Sequence, residues 1–414
     1  MKKFYVFSAG CIRRGLDVIH LQSYLERNGW DMSRKPETAD MIIVATCGVV
    51  ELNEENSLRA IHEAVARRGN KNSLIVVTGC LPLINAGPMS DIRDCVFVPT
   101  GQLEKFDELI NAITPFEEVE YPDSIADNPD IVNYLVARSF CRKSKLYKRI
   151  FYKFFMNGKF LEYSVRGKSL YEKIKSLAKG NKPQTFIPYY NIKIADGCLS
   201  QCAFCATKYA TGTLRSRPLE DVFHDFKKGI DKGYKTFQLI AEDTGCYGKD
   251  INSSLAELIK SLCSYAEDFN LIIIDCNPQW LIEDRDTLLP VIVRHQENIK
   301  ELFVPLQSGS NSVLESMKRE YKAQDALDTL KEINERAPEI ALRTSLLIGF
   351  PGETEEDFQL SRKAAKALGF AEVTVNRYED RPKAVSSSLP QKVDSATIEK
   401  RAAVLSEDGC YILS

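Results

Sequence analysis

Over residues 1–110, apolar runs alternate with stretches of helical period. The runs at 4–7, 41–45 and 74–78 carry almost no polar residue, as strands covered on both faces of a parallel sheet do. Helical patterns over 18–28 and 57–67 predict the crossovers between them. A further apolar run begins at Cys95 and covers 95–98. From residue 189 the alternation resumes, with strands predicted over 190–195, 236–241, 271–275, 301–306, 341–348 and 371–376. Helices are predicted near 218–232, 252–268, 280–296, 323–336 and 354–367, with Pro218 and Thr354 as helix-start residues. A last helix is expected over 395–405.

Such repeated units predict an α/β chain: an N-terminal open parallel Rossmann-like sheet, then a partial (β/α)6 barrel, an open relative of the eight-stranded barrel. The boundaries expected are 1–115 for the first domain, 116–183 for a linking insert, 184–385 for the barrel and 386–414 for a helix and tail. The apolar share of 44% and charged share of 27% exclude wholesale disorder. A net charge of -2 excludes a globally basic nucleic-acid binder. No apolar run approaches the ~18 residues of a membrane span. The start superficially resembles a lipoprotein signal, but its apolar stretch, 4–7, is shorter than the roughly 7 residues a signal needs. A cytoplasmic chain with no membrane partner is therefore expected.

The charge is unevenly spread. Residues 138–182 hold 14 Lys or Arg against 2 Asp or Glu, with nine aromatics interleaved, among them Phe140, Tyr147, Phe151 and Tyr163. Basic surface with aromatic faces can hold phosphates and stack bases. The same composition suits an acidic peptide, a membrane surface, or a helical insert with solvated lysines.

The 12 cysteines are too many to pass over in a chain with no export signal, where clustered thiols bind metal or do redox work more often than they pair. Cys198, Cys202 and Cys205 form the tight cluster. Zinc usually takes four ligands as two separated pairs, and no fourth ligand lies near: His224, the closest histidine, falls in a predicted helix. Three thiolates suit a [4Fe–4S] cluster with one iron left open, and S-adenosylmethionine can chelate that iron. Phe204 would shield such a cluster.

Cys198 follows the first barrel strand, where barrels carry their chemistry. Glu242 and Asp243 follow the second strand, Gln307, Ser308 and Gly309 the fourth, and Gly349 to Glu353 the fifth. A turn with a helix cap explains the last group equally well in isolation. In the N-terminal domain, Cys11, Cys47 and Cys80 each follow a predicted strand within about four residues. An open parallel sheet would bring them to one edge, its usual ligand edge. Buried structural cysteines are the plain alternative. Cys95 begins its strand and belongs at the opposite edge. Cys246 and Cys276 also follow barrel strands, near the expected active site, but two thiols are too few for a third cluster and read as buried or incidental; Cys141, Cys263 and Cys410 read as incidental.

The motifs now converge. Cys11, Thr46-Cys47-Gly48-Val49 and Thr78-Gly79-Cys80 precede Gly197-Cys198…Cys202-Ala203-Phe204-Cys205 and Arg215-Ser216-Arg217-Pro218. Glu242-Asp243-Thr244-Gly245-Cys246-Tyr247-Gly248, Pro305-Leu306-Gln307-Ser308-Gly309-Ser310, Arg343 and Ile348-Gly349-Phe350-Pro351-Gly352-Glu353-Thr354 follow in order. Over about residues 1–110 and 186–385 the chain resembles the radical S-adenosylmethionine methylthiotransferase family. The resemblance implies conversion of a substrate C–H bond to C–S–CH3 with two [4Fe–4S] clusters and S-adenosylmethionine. Cys198, Cys202 and Cys205 would ligate the radical-generating cluster. Cys11, Cys47 and Cys80 would ligate an auxiliary, sulfur-supplying one. Phe204, Glu242, Asp243, Gln307, Ser308, Arg343, Gly349 and Pro351 would contact cofactor. A flavodoxin or ferredoxin would supply electrons.

The substrate is less legible. Residues 242–248 most resemble members acting on threonylcarbamoyl-adenosine in tRNA. Family members usually continue into a small β domain, the TRAM domain, whereas a helix and short tail are all that is expected after Arg377-Tyr378. The family's Arg-Pro-Gly-Thr-Pro stretch reads Arg381-Pro382-Lys383-Ala384-Val385 here. A radical enzyme that modifies a peptide or natural product, and a non-catalytic relative that binds RNA or a partner, are the two other readings; six intact cysteines count against the second.

Overall fold

The structure is a computed structural model that describes residues 1–8, 10–69, 72–93, 95–121 and 189–413. Two units divide the chain, Met1–Tyr190 and Asn191–Ser414. The basic aromatic stretch 138–182, most of the expected insert 116–183, and Cys141 lie outside the described residues.

In the first unit, strands β1 (Lys3–Ser8), β2 (Asp31–Met32), β3 (Met41–Thr46), β4 (Leu74–Gly79) and β5 (Cys95–Pro99) pair in the order β2-β1-β3-β4-β5, all parallel. The absence of polar alternation in the strands has a direct cause, since both faces are covered. Phe4, Val6, Ile43 and Ala45 pack with Leu21 and Leu25 of helix α1 (Ile12–Arg27). Tyr5, Phe7, Ile42 and Val44 face the other way, onto Ile61 and Ala64 of α2 (Glu51–Arg67). Each such side chain fully buried contributes about 1.5–3 kcal/mol. Short helices α3 (Leu81–Ile84) and α4 (Phe106–Ile110) complete the unit. Helices α1 and α2 begin six residues before the predicted pattern does, because their first turns are mostly polar: Arg13 and Arg14 beside Ile12 in α1, Glu51 and Glu54 beside Leu52 in α2. Two acidic residues in a first turn favour a helix start electrostatically.

The second unit is a seven-stranded sheet in the order β14-β13-β12-β11-β10-β9-β6. Its strands are β6 (Tyr190–Lys193), β9 (Thr236–Ile240), β10 (Asn270–Ile273), β11 (Ile299–Phe303), β12 (Ala341–Ile348), β13 (Glu372–Arg377) and β14 (Tyr411–Ile412), and every pair from β9 to β14 is parallel. The first predicted strand, 190–195, stops at Lys193, and Ala195–Asp196 (β7) turns aside to pair antiparallel with Arg215–Ser216 (β8). Helices α5 (Lys208–Thr211), α6 (Leu219–Asp231), α7 (Leu255–Tyr265), α8 (Pro278–Glu283), α9 (Arg285–Arg294), α10 (Asn311–Ser316), α11 (Ala323–Arg336), α12 (Glu355–Lys366) and α13 (Ser395–Glu407) fill the connections. The single helix expected over 280–296 is two, α8 and α9, meeting at Asp284. The edge strand β14 is a seventh strand where six were expected; two residues are too few to leave a pattern.

Helix α13 is tied to the turn after β12 by a buried ion pair. Arg401 Nη1 lies 2.8 Å from Glu353 Oε2, with side-chain exposures of 6% and 0%. The same carboxylate oxygen accepts from the Gly349 N–H at 2.6 Å. Burial pushes the Glu353 carboxyl up to about 7, against the pull of the Gly349 N–H and Arg401. Removing one partner of a buried pair leaves an uncompensated charge. Arg401→Ala should therefore cost about 3–5 kcal/mol, read as a lower urea midpoint, whereas Glu353→Gln with Arg401→Met should unfold closer to the parent.

Candidate active site

The loop carrying Cys198, Cys202 and Cys205 runs from β7 to α5 and is fixed at several points. Gly197 has φ +73°, and a Cβ there would meet the Thr213 carbonyl oxygen at 2.1 Å, so the loop start admits glycine alone without rearrangement. The Gly197 N–H donates to Glu242 Oε2 at 3.0 Å, which gives the first acidic residue after β9 a structural task at this edge. Ala203 N–H donates to the Met317 carbonyl at 2.8 Å, and the Ala203 carbonyl accepts from Ser386 N–H at 3.0 Å. The apex packs as an apolar cluster: Ala203 against Val313, Met317, Leu347 and Phe350, with Phe204 partly buried on it. Cys202 is buried, and Cys198 and Cys205 are half-buried.

Each thiol has a distinct setting. The Cys198 thiol is held below its ordinary value, first by the neighbouring Cys246 thiol, with further help from Ser200, against burial and Asp243. Ser200 N–H donates to Cys198 Sγ at 3.2 Å. Cys246, in turn, is pushed far up by the same pairing and by burial. Burial raises the Cys205 thiol, Cys202 raises it further, and the backbone N–H groups of Thr207 and Lys208 oppose them. Cys202 Sγ accepts from Arg319 Nη1 at 3.2 Å.

Behind the loop lies a buried polar network. Arg319, 8% exposed, also donates to Asn277 Oδ1 at 2.7 Å and to the Pro305 carbonyl at 3.1 Å. Asn277 donates through Nδ2 to Ser200 Oγ at 2.9 Å and through its backbone N–H to Asp243 Oδ1 at 3.1 Å. Trp280 Nε1 donates to Asp243 Oδ2 at 2.7 Å, and Gly245 N–H to Oδ1 at 3.1 Å. Burial raises the Asp243 carboxyl; Trp280, Asn277, Arg319 and Gly245 pull the other way.

Among the described residues, the group of metal-ligating side chains whose ligand atoms all lie within 4.8 Å is Cys198, Asp243 and Cys246. Both Asp243 oxygens already accept hydrogen bonds, so this is a polar contact before it is an ion site. Neither three-cysteine set is drawn in so tightly. A four-iron cluster binds each cysteine to a different iron and holds the sulfurs further apart than a single ion would. Three soft thiols on one loop, one held toward thiolate and one facing a guanidinium, fit an anionic iron–sulfur cluster.

The other expected contacts divide in two. Gln307 has φ +65°, its N–H donates to the Ser345 carbonyl at 2.8 Å and its carbonyl accepts from Leu347 N–H at 2.8 Å, so the chain after β11 is pinned along β12. Gly349, φ +79°, and buried Pro351 form the turn after β12 that Glu353 holds. Ser308 is buried with its hydroxyl 3.0 Å from Ser361 Oγ on α12. Arg343 is the third residue of β12, near the end of the strand opposite that turn, where it pairs with Glu301 at 2.6 Å and with Glu372. Sequence patterning does not single out Arg319, Asn277 or Trp280 as site residues, and it places Cys246 near the site without giving it a role. Asn277 and Cys246 do follow strands, the one available signal, whereas Arg319 sits in a polar run, Lys318-Arg319-Glu320, that reads as a solvated loop.

In the first unit, Cys11 lies just after β1, Cys47 directly after β3 and Cys80 directly after β4. Thr46 pairs with Gly79, so Cys47 and Cys80 leave adjacent strands side by side. Gly79, φ +98°, lets the β4 backbone approach Thr46, whose carbonyl a Cβ would meet at 2.2 Å. Ser57 Oγ accepts from Cys47 N–H at 2.9 Å and donates to its carbonyl at 3.0 Å. Cys95 starts β5, at the opposite edge, as expected.

Comparison with known proteins joins the two halves. Residues 192–365 match the Radical SAM superfamily, and residues 3–97 match Uncharacterized protein family UPF0004. A probable threonylcarbamoyladenosine tRNA methylthiotransferase of Pyrococcus horikoshii is 28% identical over 94% of this chain and 80% of its own length. The ribosomal protein uS12 methylthiotransferase RimO of Natranaerobius thermophilus is 28% identical over 96% of this chain and 80% of its own. In fold, the chain is similar to the radical S-adenosylmethionine methyltransferase TsrM of Kitasatospora setae, with TM-score 0.61 and 13% identity over 94% of this chain and 75% of that one. With both domain matches present in one chain and methylthiotransferases aligned along nearly all of it, the chain belongs to the radical S-adenosylmethionine methylthiotransferases, enzymes that use S-adenosylmethionine and two [4Fe–4S] clusters.

Proposed function

We propose that Cys198, Cys202 and Cys205 hold the radical-generating cluster, that Cys11, Cys47 and Cys80 hold the sulfur-supplying cluster, and that the substrate is a tRNA adenosine of the threonylcarbamoyl type. The supporting observation is that Cys11, Cys47 and Cys80 each follow a strand of the first unit's parallel sheet, while Cys198, Cys202 and Cys205 share the one loop between β7 and α5. In the first unit the strand order reverses between β1 and β3, and a doubly wound sheet takes its ligand at such a switch point. Cys11 and Cys47 follow those two strands. Domain limits near 1–115 and 184–385 follow from the same reading.

When bound, the barrel cluster supplies the electron that cleaves S-adenosylmethionine and so makes hydrogen abstraction possible. This chain's residues position and shelter that chemistry. Glu242 fixes the loop start through Gly197. Phe204, Val313, Met317 and Phe350 keep one side of the loop apolar. The backbone at Gln307 and the turn at Gly349 and Pro351 shape the same edge after β11 and β12, where cofactor contact is expected. A flavodoxin or ferredoxin would be the electron donor.

The tRNA substrate follows the names of two relatives aligned along most of the chain, from Pyrococcus horikoshii and Thermotoga maritima. The basic aromatic residues 138–182 would supply phosphate and base contacts. RimO, named for a ribosomal protein, supports a peptide or protein substrate as the second reading.

Anaerobic reconstitution should load about eight irons per chain, and changing Cys198, Cys202 and Cys205 to Ala should leave about four and abolish 5′-deoxyadenosine formation. About four irons in the unmodified chain would remove the N-terminal cluster from this account. The triple change Cys11→Ala, Cys47→Ala, Cys80→Ala should still cleave S-adenosylmethionine reductively and yield no methylthio product, measured by mass spectrometry; loss of both activities in a folded variant would contradict the division of roles.

For the substrate, nucleosides from cells with and without the gene should differ in one methylthio-adenosine species. An unchanged nucleoside profile with a methylthio peptide would favour the second reading. Changing Lys143, Lys145, Lys148 and Arg149 to Gln should weaken tRNA binding and flatten its salt dependence, by a log–log slope of about 0.7 for each phosphate no longer neutralised.

A further inference from the structure

We propose that Arg319 is a positioning residue that raises the reduction potential of the barrel cluster by donating a charge-assisted hydrogen bond to the Cys202 thiolate. The inference rests on Cys202 being a cluster ligand, as argued above, and adds a residue that neither motif nor strand-end position points to.

The geometry is that of a fixed donor. Arg319 Nη1 is 3.2 Å from Cys202 Sγ. The rest of the guanidinium is held by groups from three other places in the fold. Nη2 donates to Asn277 Oδ1, just after β10, at 2.7 Å and to the Pro305 carbonyl, just after β11, at 3.1 Å. Nε reaches Tyr321 Oη at 3.3 Å, and that hydroxyl donates to the Leu306 carbonyl at 2.7 Å. None of these acceptors is a carboxylate, so the charge is not cancelled at contact distance. With Arg319 and Tyr321 both only 8% exposed, little solvent screens it.

A four-iron cluster gains a negative charge when it is reduced by one electron. Hydrogen bonds to its sulfurs and nearby positive charge stabilise that state and raise the potential. Asp243, hydrogen-bonded beside Cys198 and linked to Arg319 through Asn277, opposes it. The donor at Cys202 therefore has a counterweight at Cys198, and the two cysteines sit in unlike fields. Lysine could keep the charge but not the fork that holds four acceptors at once.

The test is an EPR-monitored redox titration of the reconstituted full-length enzyme, following the signal that changes when S-adenosylmethionine is added. Arg319→Gln should lower the ratio of reduced to oxidised cluster at a fixed poise about tenfold, a fall of about 59 mV for a one-electron couple. Arg319→Lys should fall between Arg319→Gln and the parent, with iron content retained in at least the lysine variant. Overturning results are a parent-like potential in Arg319→Gln with iron retained, or loss of that cluster's iron from both variants, which would make Arg319 a support of the loop alone. A parent enzyme with no S-adenosylmethionine-responsive signal would overturn the assignment of Cys202 as a ligand, a failure distinct from an unshifted potential.

Discussion

Parallel strand pairing is the constraint on which the rest of this chain depends. A parallel sheet sends every carboxyl end to one edge, and each connection must return along the outside as a helix. Residues far apart in sequence then meet without any local signal that they will. Cys11, Cys47 and Cys80 are brought to one edge by the β1–β3 and β3–β4 registers alone. In the second unit the same rule gathers Glu242, Asn277, Pro305 and Gly349, one or a few residues beyond β9, β10, β11 and β12. The chemistry of the loop at Cys198 is thus supplied with partners by strands that share nothing with it but direction.

Much of this was legible because the pattern and the physics coincide. A strand buried on both faces must be apolar throughout, and β3, buried at all six positions, reads so. The cysteine spacing at 198, 202 and 205 reads as a ligand set because few other demands place three thiols on one short loop. What escaped reading was set by tertiary pairing. The two-residue strands β2 and β14 have no period to detect. The first turns of α1 and α2 are mostly polar, with Ile12 and Leu52 their lone apolar residues, too few to show a period. Arg343, one of the motif residues with an expected cofactor contact, lies where the β12 register with β11 and β13 sets it beside Glu301 and Glu372. Ser308 shows the same limit, since its hydroxyl meets α12 rather than open space.

Cys246 illustrates how a residue can look incidental and still matter. Its thiol sits against Cys198 and donates to the Asp243 carbonyl at 3.2 Å. The two neighbouring thiols are driven apart, Cys246 toward its protonated form and Cys198 toward thiolate. Gly245 lets Trp280 and Cys276 pack against this stretch: a Cβ on it would meet Trp280 at 2.8 Å and Cys276 Sγ at 3.1 Å. The stretch 242–248 is therefore a packed polar support behind Cys198, with Tyr247 anchored by its hydroxyl to the Arg217 carbonyl at 3.0 Å.

The charges around the loop explain why its polar support is so fully hydrogen-bonded. Burying a guanidinium costs several kcal/mol unless its donors are satisfied and an anion lies near. Arg319 has its donors satisfied by Cys202, Asn277, Pro305 and Tyr321, none of them a carboxylate, and is linked to Asp243 through Asn277. An anionic iron–sulfur cluster held through Cys202 would match that cation directly, so the polar support behind the loop suits a negatively charged occupant and would be less well compensated without one.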